Sequence, residues 1–146
     1  MAVCTFFGHR NITKDIEPIL YSTLVDLIEN KNVNVFYVGN QGGFDYIVRK
    51  NLKILKVDYP HIDYAVVLAY MPSIKDKCVY YGCDDTIYPE EMEKIHPKYA
   101  IIERNKWMIN VSEYVVTYVK YSSGGAAQFK SLAENMGRTV INLADL

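Results

Sequence analysis

Apolar residues fall along this chain in two ways: as short unbroken runs, and as stretches where they return every three or four positions. Val3 to Phe7 is apolar and β-prone, stops at Gly8, and predicts a buried strand. Ile16, Ile19, Leu20, Leu24, Leu27 and Ile28 then keep helical spacing, with Thr13 or Asp15 able to cap the helix and Pro18 near its tolerant first turn. Asn34 to Val38 predicts a second strand, ending at Gly39. Phe44, Ile47, Val48, Leu52 and Leu55 make the stripe of a second helix. Its other face carries Arg49, Lys50, Lys53 and Lys56 and reads as solvated. Tyr64 to Ala69 is apolar throughout, as in a strand covered by helices on both faces.

Residues 71–98 break the rhythm. They hold Pro72, Pro89, Pro97, Cys78 and Cys83, and predict a long loop or lid with a helical turn or two at Pro89 to Lys94. Beyond them the pattern predicts a helix over Ala100 to Asn110, a strand over Tyr114 to Val119, a helix over Gly125 to Met136 and a strand over Val140 to Leu143. Gly137 falls where a helix C-cap glycine belongs. Strands alternating with helices predict an α/β protein: a three-layer Rossmann-like fold with a mainly parallel sheet, in a single domain over residues 1–146.

The 146 residues suit one domain with a self-supporting core, and 50% hydrophobic against 23% charged residues argues against disorder. The formal net charge of −1 leaves no electrostatic footprint for DNA or anionic membranes, so nucleic acid is a poor partner. Met1 to Phe7 has no basic leader region, and the longest apolar run, Tyr64 to Met71, is too short to span a bilayer. Three cysteines without a secretory signal point to reduced thiols. The expectation is a soluble cytoplasmic protein without membrane contact. Self-association into a homo-oligomer stays open.

Ligands of such sheets bind beyond the carboxyl ends of the strands, near helix N-termini. Three glycine-rich turns lie there. The first offers Gly8, His9 and Arg10; the second offers Gly39, Asn40, Gly42, Gly43 and Asp45; the third offers Ser123, Gly124 and Gly125. Glycine lets backbone N–H groups approach an anion, and the helix dipole favours negative charge, so the three together point to a phosphate-bearing ligand. Arg10 is either a fork for phosphate or carboxylate or a surface arginine. His9 is a stacking or titrating group, or a hydrogen-bonded structural histidine. Asp45 either accepts from a ribose hydroxyl or serves as a first-turn acid. Glu103 to Met108 places charge, amide and aromatic in one helical turn, with Arg104 and Met108 on one face. A plain reading puts Trp107 and Met108 in the core and Arg104 on its rim. Cys78, Cys83 and His96 lack the paired spacing and fourth ligand of a zinc site, and Asp84-Asp85 with Glu90-Glu91 reads as a solvated acidic loop. No Gly-x-Ser-x-Gly elbow or Walker pattern occurs, and neither metal nor cofactor is expected.

Thr5-Phe6-Phe7-Gly8-His9-Arg10, Val38 to Asp45, Arg104-Asn105-Lys106-Trp107-Met108, Gly124-Gly125-Ala126 and Val140-Ile141-Asn142-Leu143 follow in that order. Together they resemble the SLOG superfamily, the Rossmann-like group that includes the LOG phosphoribohydrolases and the DNA-processing protein A domain. The resemblance is nearest to its small bacterial members of unknown function. It implies a nucleotide-related ligand held by the Gly-Gly turns, with Asp45, Arg104 and Asn105 in the pocket. LOG enzymes carry Pro-Gly-Gly-x-Gly-Thr-x-x-Glu, whose glutamate works with an arginine. Here the stretch Ser123-Gly124-Gly125-Ala126-Ala127-Gln128-Phe129-Lys130 lacks the proline, the Gly-Thr pair and the glutamate, while Glu103-Arg104 is kept. Two functions follow: a module that binds or senses a nucleotide or nucleotide-derived small molecule, or a nucleoside-phosphate hydrolase with a different acid, for which Asp45, Glu103 and the acids of the 71–98 loop are candidates.

Overall fold

Strand β1 (Ala2–Gly8) runs through the middle of the sheet because both of its faces are apolar. Phe6 and Phe7, adjacent and therefore pointing to opposite sides, are both buried. The computed structural model describes residues 2–71 and 85–146. Among these, β2 (Val33–Val38), β3 (Asp63–Val67), β4 (Thr86–Ile87), β5 (Tyr114–Tyr118) and β6 (Thr139–Asn142) join β1 in one sheet of order β4-β3-β2-β1-β5-β6. Every neighbouring pair is parallel; Cys4 of β1, for instance, lies between Phe36 of β2 and Tyr114 of β5.

Four helices cover the sheet: α1 (Glu17–Asn30), α2 (Gly43–Asp58), α3 (Ala100–Asn110) and α4 (Gly125–Asn135). Leu20, Leu24 and Leu27 of α1 and Val48, Leu52 and Leu55 of α2 share a core with Phe6 and Phe36. Met108 and Ile109 of α3 and Phe129 and Ala133 of α4 share the other with Phe7 and Val115. This is the three-layer Rossmann-like α/β fold that the pattern predicts, with an all-parallel sheet. No helix among the described residues is long and apolar enough to cross a membrane.

Several boundaries differ from the sequence reading. The apolar run outlasts β3, which stops at Val67. Leu68 is buried in the core shared with Phe6 and Phe36, its N–H donating to Ile87 O of β4 at 2.8 Å, and Ala69 packs on Met92 and Ala100. The span 71–98, read as a long loop, contains β4 and a 3-10 turn at Pro97–Tyr99, while the helical turn expected at Pro89 to Lys94 is present as the 3-10 turn Glu90–Lys94; Pro72, Cys78, Cys83 and Asp84 lie outside the described residues. Helix α1 begins after Ile16, and it is Asp15 that accepts the Glu17 N–H, at 3.1 Å. Gly137 behaves as predicted. Its N–H reaches Glu134 O and the Arg138 N–H reaches Ala133 O, both at 3.0 Å, the two bonds of a Schellman motif.

The chain steps outward from β1 through β2 and β3 to β4, then returns to the far side of β1 with β5. Strand order thus reverses between β1 and β5, and a crevice opens at their carboxyl ends where the flanking connections diverge.

Candidate functional site

That crevice is a cavity of about 340 Å³. Its size sits at the low end of the roughly 300–1,000 Å³ usual for small-molecule sites. Phe7, Gly8, His9 and Arg10 enter it from the end of β1, and Gln41 and Asp45 from the turn between β2 and α2. Ile101, Arg104, Asn105 and Met108 come from α3, and Gly125, Ala126 and Phe129 from α4. Each of the three glycine turns therefore gives residues to one cavity.

Arg104 is not on the rim. It is 1% exposed, and its guanidinium is held from three sides. Nε donates to Asn105 Oδ1 at 2.8 Å, and Nη1 donates to Val67 O at 2.9 Å and to Asn40 Oδ1 at 3.1 Å. Asn40, read as a ligand contact, is thus an anchor for the arginine. Arginine cannot accept, so Asn105 must turn its carbonyl toward Arg104, which leaves its NH2 as the donor offered to the cavity. Met108, one turn on, lines the same cavity, as the i, i+4 spacing predicts.

Asp45, 8% exposed, is the carboxylate that the described residues bring to the cavity. Its Oδ2 accepts the Gln41 N–H at 2.9 Å. A Cβ placed on Gly39 would sit 2.8 Å from Asp45 Oδ2 and 3.3 Å from Arg104 Nη1, so carboxylate and guanidinium meet over this glycine. Gly39 keeps the space clear. Burial pushes the Asp45 carboxyl up to about 6, against the opposing pull of the Gln41 N–H and the Arg104 and Arg49 charges. Glu103, the other candidate acid, pairs instead with Lys106 at 3.5 Å on the outer side of α3. Nor is the outer face of α2 wholly solvated: Arg49 Nε is buried without a hydrogen-bond partner.

Both glycine-led helices start from the same unusual backbone. Gly42 before α2 has φ 93° and ψ −172°, and Gly124 before α4 has φ 105° and ψ 174°, a region essentially closed to other residues. Their surroundings differ. Gly43 N–H donates to Arg10 O at 2.7 Å, and a Cβ on Gly43 would lie 2.7 Å from that same oxygen. A Cβ on Gly42 would strike the Arg10 backbone at 2.8 Å. Together with Asp45 folding back over Gln41, these contacts close the α2 terminus. Gly42 and Gly43 pack against Arg10 rather than standing open to an anion. At α4 the terminus is open: it has no acid in its first turn and no side-chain cap, and Cβ atoms on Gly124 or Gly125 would meet nothing within 4 Å. Ser123 beside it is exposed.

No protein-family model matches the chain, and no curated protein sequence matches it.

His9 is bonded into the fold. Its Nε2 accepts the Lys120 N–H at 2.9 Å, which places the imidazole proton on Nδ1, and its own N–H reaches Tyr118 O at 3.3 Å. Arg10 is exposed, and its guanidinium has no hydrogen bond or ion pair among the described residues. One positioning residue lies in the Val140-Ile141-Asn142-Leu143 motif, which by itself gives it no role. Asn142 takes the Val119 N–H at 2.9 Å and returns its amide to Val119 O at 3.0 Å, and so fixes where β5 releases the chain toward α4. The cavity therefore joins an open helix terminus, a buried cation, an amide donor and a carboxylate to a wall of Phe7, Ile101, Met108 and Phe129.

Proposed function

We propose that this chain is a SLOG-type protein whose cavity binds a nucleotide or nucleotide-derived small molecule, and that it acts as a binding or sensing module. The observation that carries the proposal is the polarity of the cavity. Among the described residues its lining combines the open helix terminus at Gly125 and Ala126, the buried Asp45 and Asn105, and apolar side chains. A phosphate suits the α4 N–H groups with Arg10 beside them; a ribose hydroxyl suits Asp45 and Asn105; a base suits the Met108 and Phe129 wall. Thermal melting with a panel of nucleoside monophosphates tests this. A ligand at a hundredfold excess over Kd should add about 2.7 kcal/mol of stability. Gly125→Asp should abolish that gain by occupying the phosphate position, while a first-turn acid leaves the apo protein as stable or slightly more so. A panel that never moves the melting temperature overturns the proposal.

A hydrolase is favoured by one arrangement: Asp45 and Arg104 meet over Gly39 in the cavity wall, and burial pushes the Asp45 carboxyl up to about 6. A carboxyl in that range can exchange a proton with water or leaving group near neutral pH, and its anion can stabilise an oxocarbenium-like ribose. Release of free base from a nucleoside monophosphate, lost in both Asp45→Asn and Arg104→Ala, would establish it. Tight binding without release would retire it.

A further inference from the structure

His9 and Arg10 have a second side. Besides the cavity already described, they line another hollow of about 400 Å³ together with Asn11, Thr13, Tyr118, Lys120 and Tyr121. The two hollows are thus neighbours across a ridge two residues wide, and that ridge carries the exposed Arg10 guanidinium. Among the described residues, the lining of the second hollow contains two cations, Arg10 and Lys120, and no carboxylate. It is also aromatic. The His9 and Tyr121 rings lie 5.2 Å apart with a 42° tilt, and the Lys120 ammonium stands 5.9 Å from the centre of the Tyr118 ring. Tyr121 is 66% exposed, leaving most of a large ring in water at the mouth of a positively charged hollow.

We infer that this hollow is a second subsite of the nucleotide site, and that the ligand is a dinucleotide whose phosphate bridge crosses Arg10. The inference rests on the nucleotide reading of the first cavity and names the ligand class it takes. Either hollow alone is at the small end for a ligand site, whereas the pair is in the middle of the range. An arginine on the ridge supplies paired donors where a bridging phosphate must pass. Beyond it, the ring faces of Tyr121 and His9 suit a second base, because every base has a stacking face. Lys120 supplies a second charge for the bridge. A third hollow shares Tyr118 and Lys120 with this one; at about 150 Å³, with Lys14, Asp15, Ile16, Ile19 and Leu143 in its lining, it is below the size of a further nucleotide subsite.

Titration calorimetry distinguishes the possibilities, using the monophosphate, the triphosphate and the pyrophosphate-linked dinucleotide of adenosine, guanosine and a pyrimidine nucleoside. In the best-bound series the dinucleotide should bind at least about tenfold tighter than both the monophosphate and the triphosphate. Tyr121→Ala and Lys120→Glu should each bring the dinucleotide down to the level of the monophosphate. Both side chains are at the surface of this hollow, and the His9 bond to residue 120 uses the backbone N–H, so neither change removes a core contact. A dinucleotide no tighter than the monophosphate overturns the inference alone, as does an advantage that survives both substitutions or a triphosphate that matches it. An oligonucleotide that outbinds the dinucleotide overturns it in favour of a nucleic-acid groove. If no nucleotide of any kind binds, this inference and the nucleotide site fall together.

Discussion

Asp45 is held by forces that oppose each other. The Gln41 N–H and the Arg104 charge favour its anion, while its burial favours the acid, and burial prevails. The consequence for stability has a definite sign. The folded carboxyl titrates near 6 and the unfolded one near 3.8, so between those values the unfolded chain loses the proton that the folded chain keeps. Stability from this group is therefore highest at the acid end and declines as pH rises to about 6, at about 1.4 kcal/mol per pH unit at most. Asp45→Asn keeps an acceptor for Gln41 but cannot titrate. Denaturant melts at several pH values should show wild type losing stability relative to Asp45→Asn across that window, with no further change above it. Gly43 and Gly125 make a second pair of opposites. Gly43→Ala forces a Cβ onto Arg10 O and should cost roughly 1–3 kcal/mol. Gly125→Ala meets nothing and should be neutral or stabilising by up to about 1 kcal/mol. Calorimetric melting of the two variants checks this, and equal effects would contradict the packing described. In the sequence the two glycines look alike. What separates them is the path of residues 9–12 over the α2 terminus, which no local pattern encodes. Arg104 was read toward the rim for a similar reason: charge predicts exposure, and only its acceptors on β3, Asn40 and Asn105 explain why it is buried.

Elements were legible where their apolar residues form an unbroken run or recur at helical spacing. β1 and β2 could be read from such runs, although Asn34, Val35 and Tyr37 of β2 are only partly buried, and α3 and α4 from their apolar stripes. β4 could not, since Thr86–Ile87 is too short to carry a period, and the end of β3 was blurred because Leu68 stays in the main core and Ala69 packs on Met92 and Ala100 beyond the last strand residue. At the other edge the β5 exit depends on Asn142, one residue at the end of β6 that serves Val119 in both directions and also accepts from Thr117 Oγ1 at 3.1 Å. Asn142→Ala strands the buried Val119 groups and should lower stability by roughly 1–3 kcal/mol. Because Val119 opens the turn that leads to Gly124, the same variant should also weaken any nucleotide-dependent shift in melting temperature, whereas the equally destabilising Gly137→Ala, at the far end of α4, should leave that shift intact.

Across the whole molecule, the crevice lies where strand order reverses, so its position follows from topology and its contents from the loops. β1 is the hinge of that arrangement, paired with β2 early in the chain and with β5 late. This pairing has a consequence for the order of assembly. The contacts of β1 with β2 close a loop of some thirty residues, whereas those with β5 span 110 residues (Cys4 to Tyr114), about three-quarters of the chain, and contacts so distant in sequence form slowly. Half of the protein can thus reach a native-like sheet with one flank of β1 still bare, an open parallel edge of Cys4, Thr5 and Phe6 that invites association with other chains until β5 docks. Both walls of the crevice, from β1 and from α4, come together only at that closing step. Refolding watched by hydrogen-exchange labelling should therefore protect the β2 amides before those of β5, and any capacity to bind nucleotide should appear with β5, as the last property the folding chain acquires.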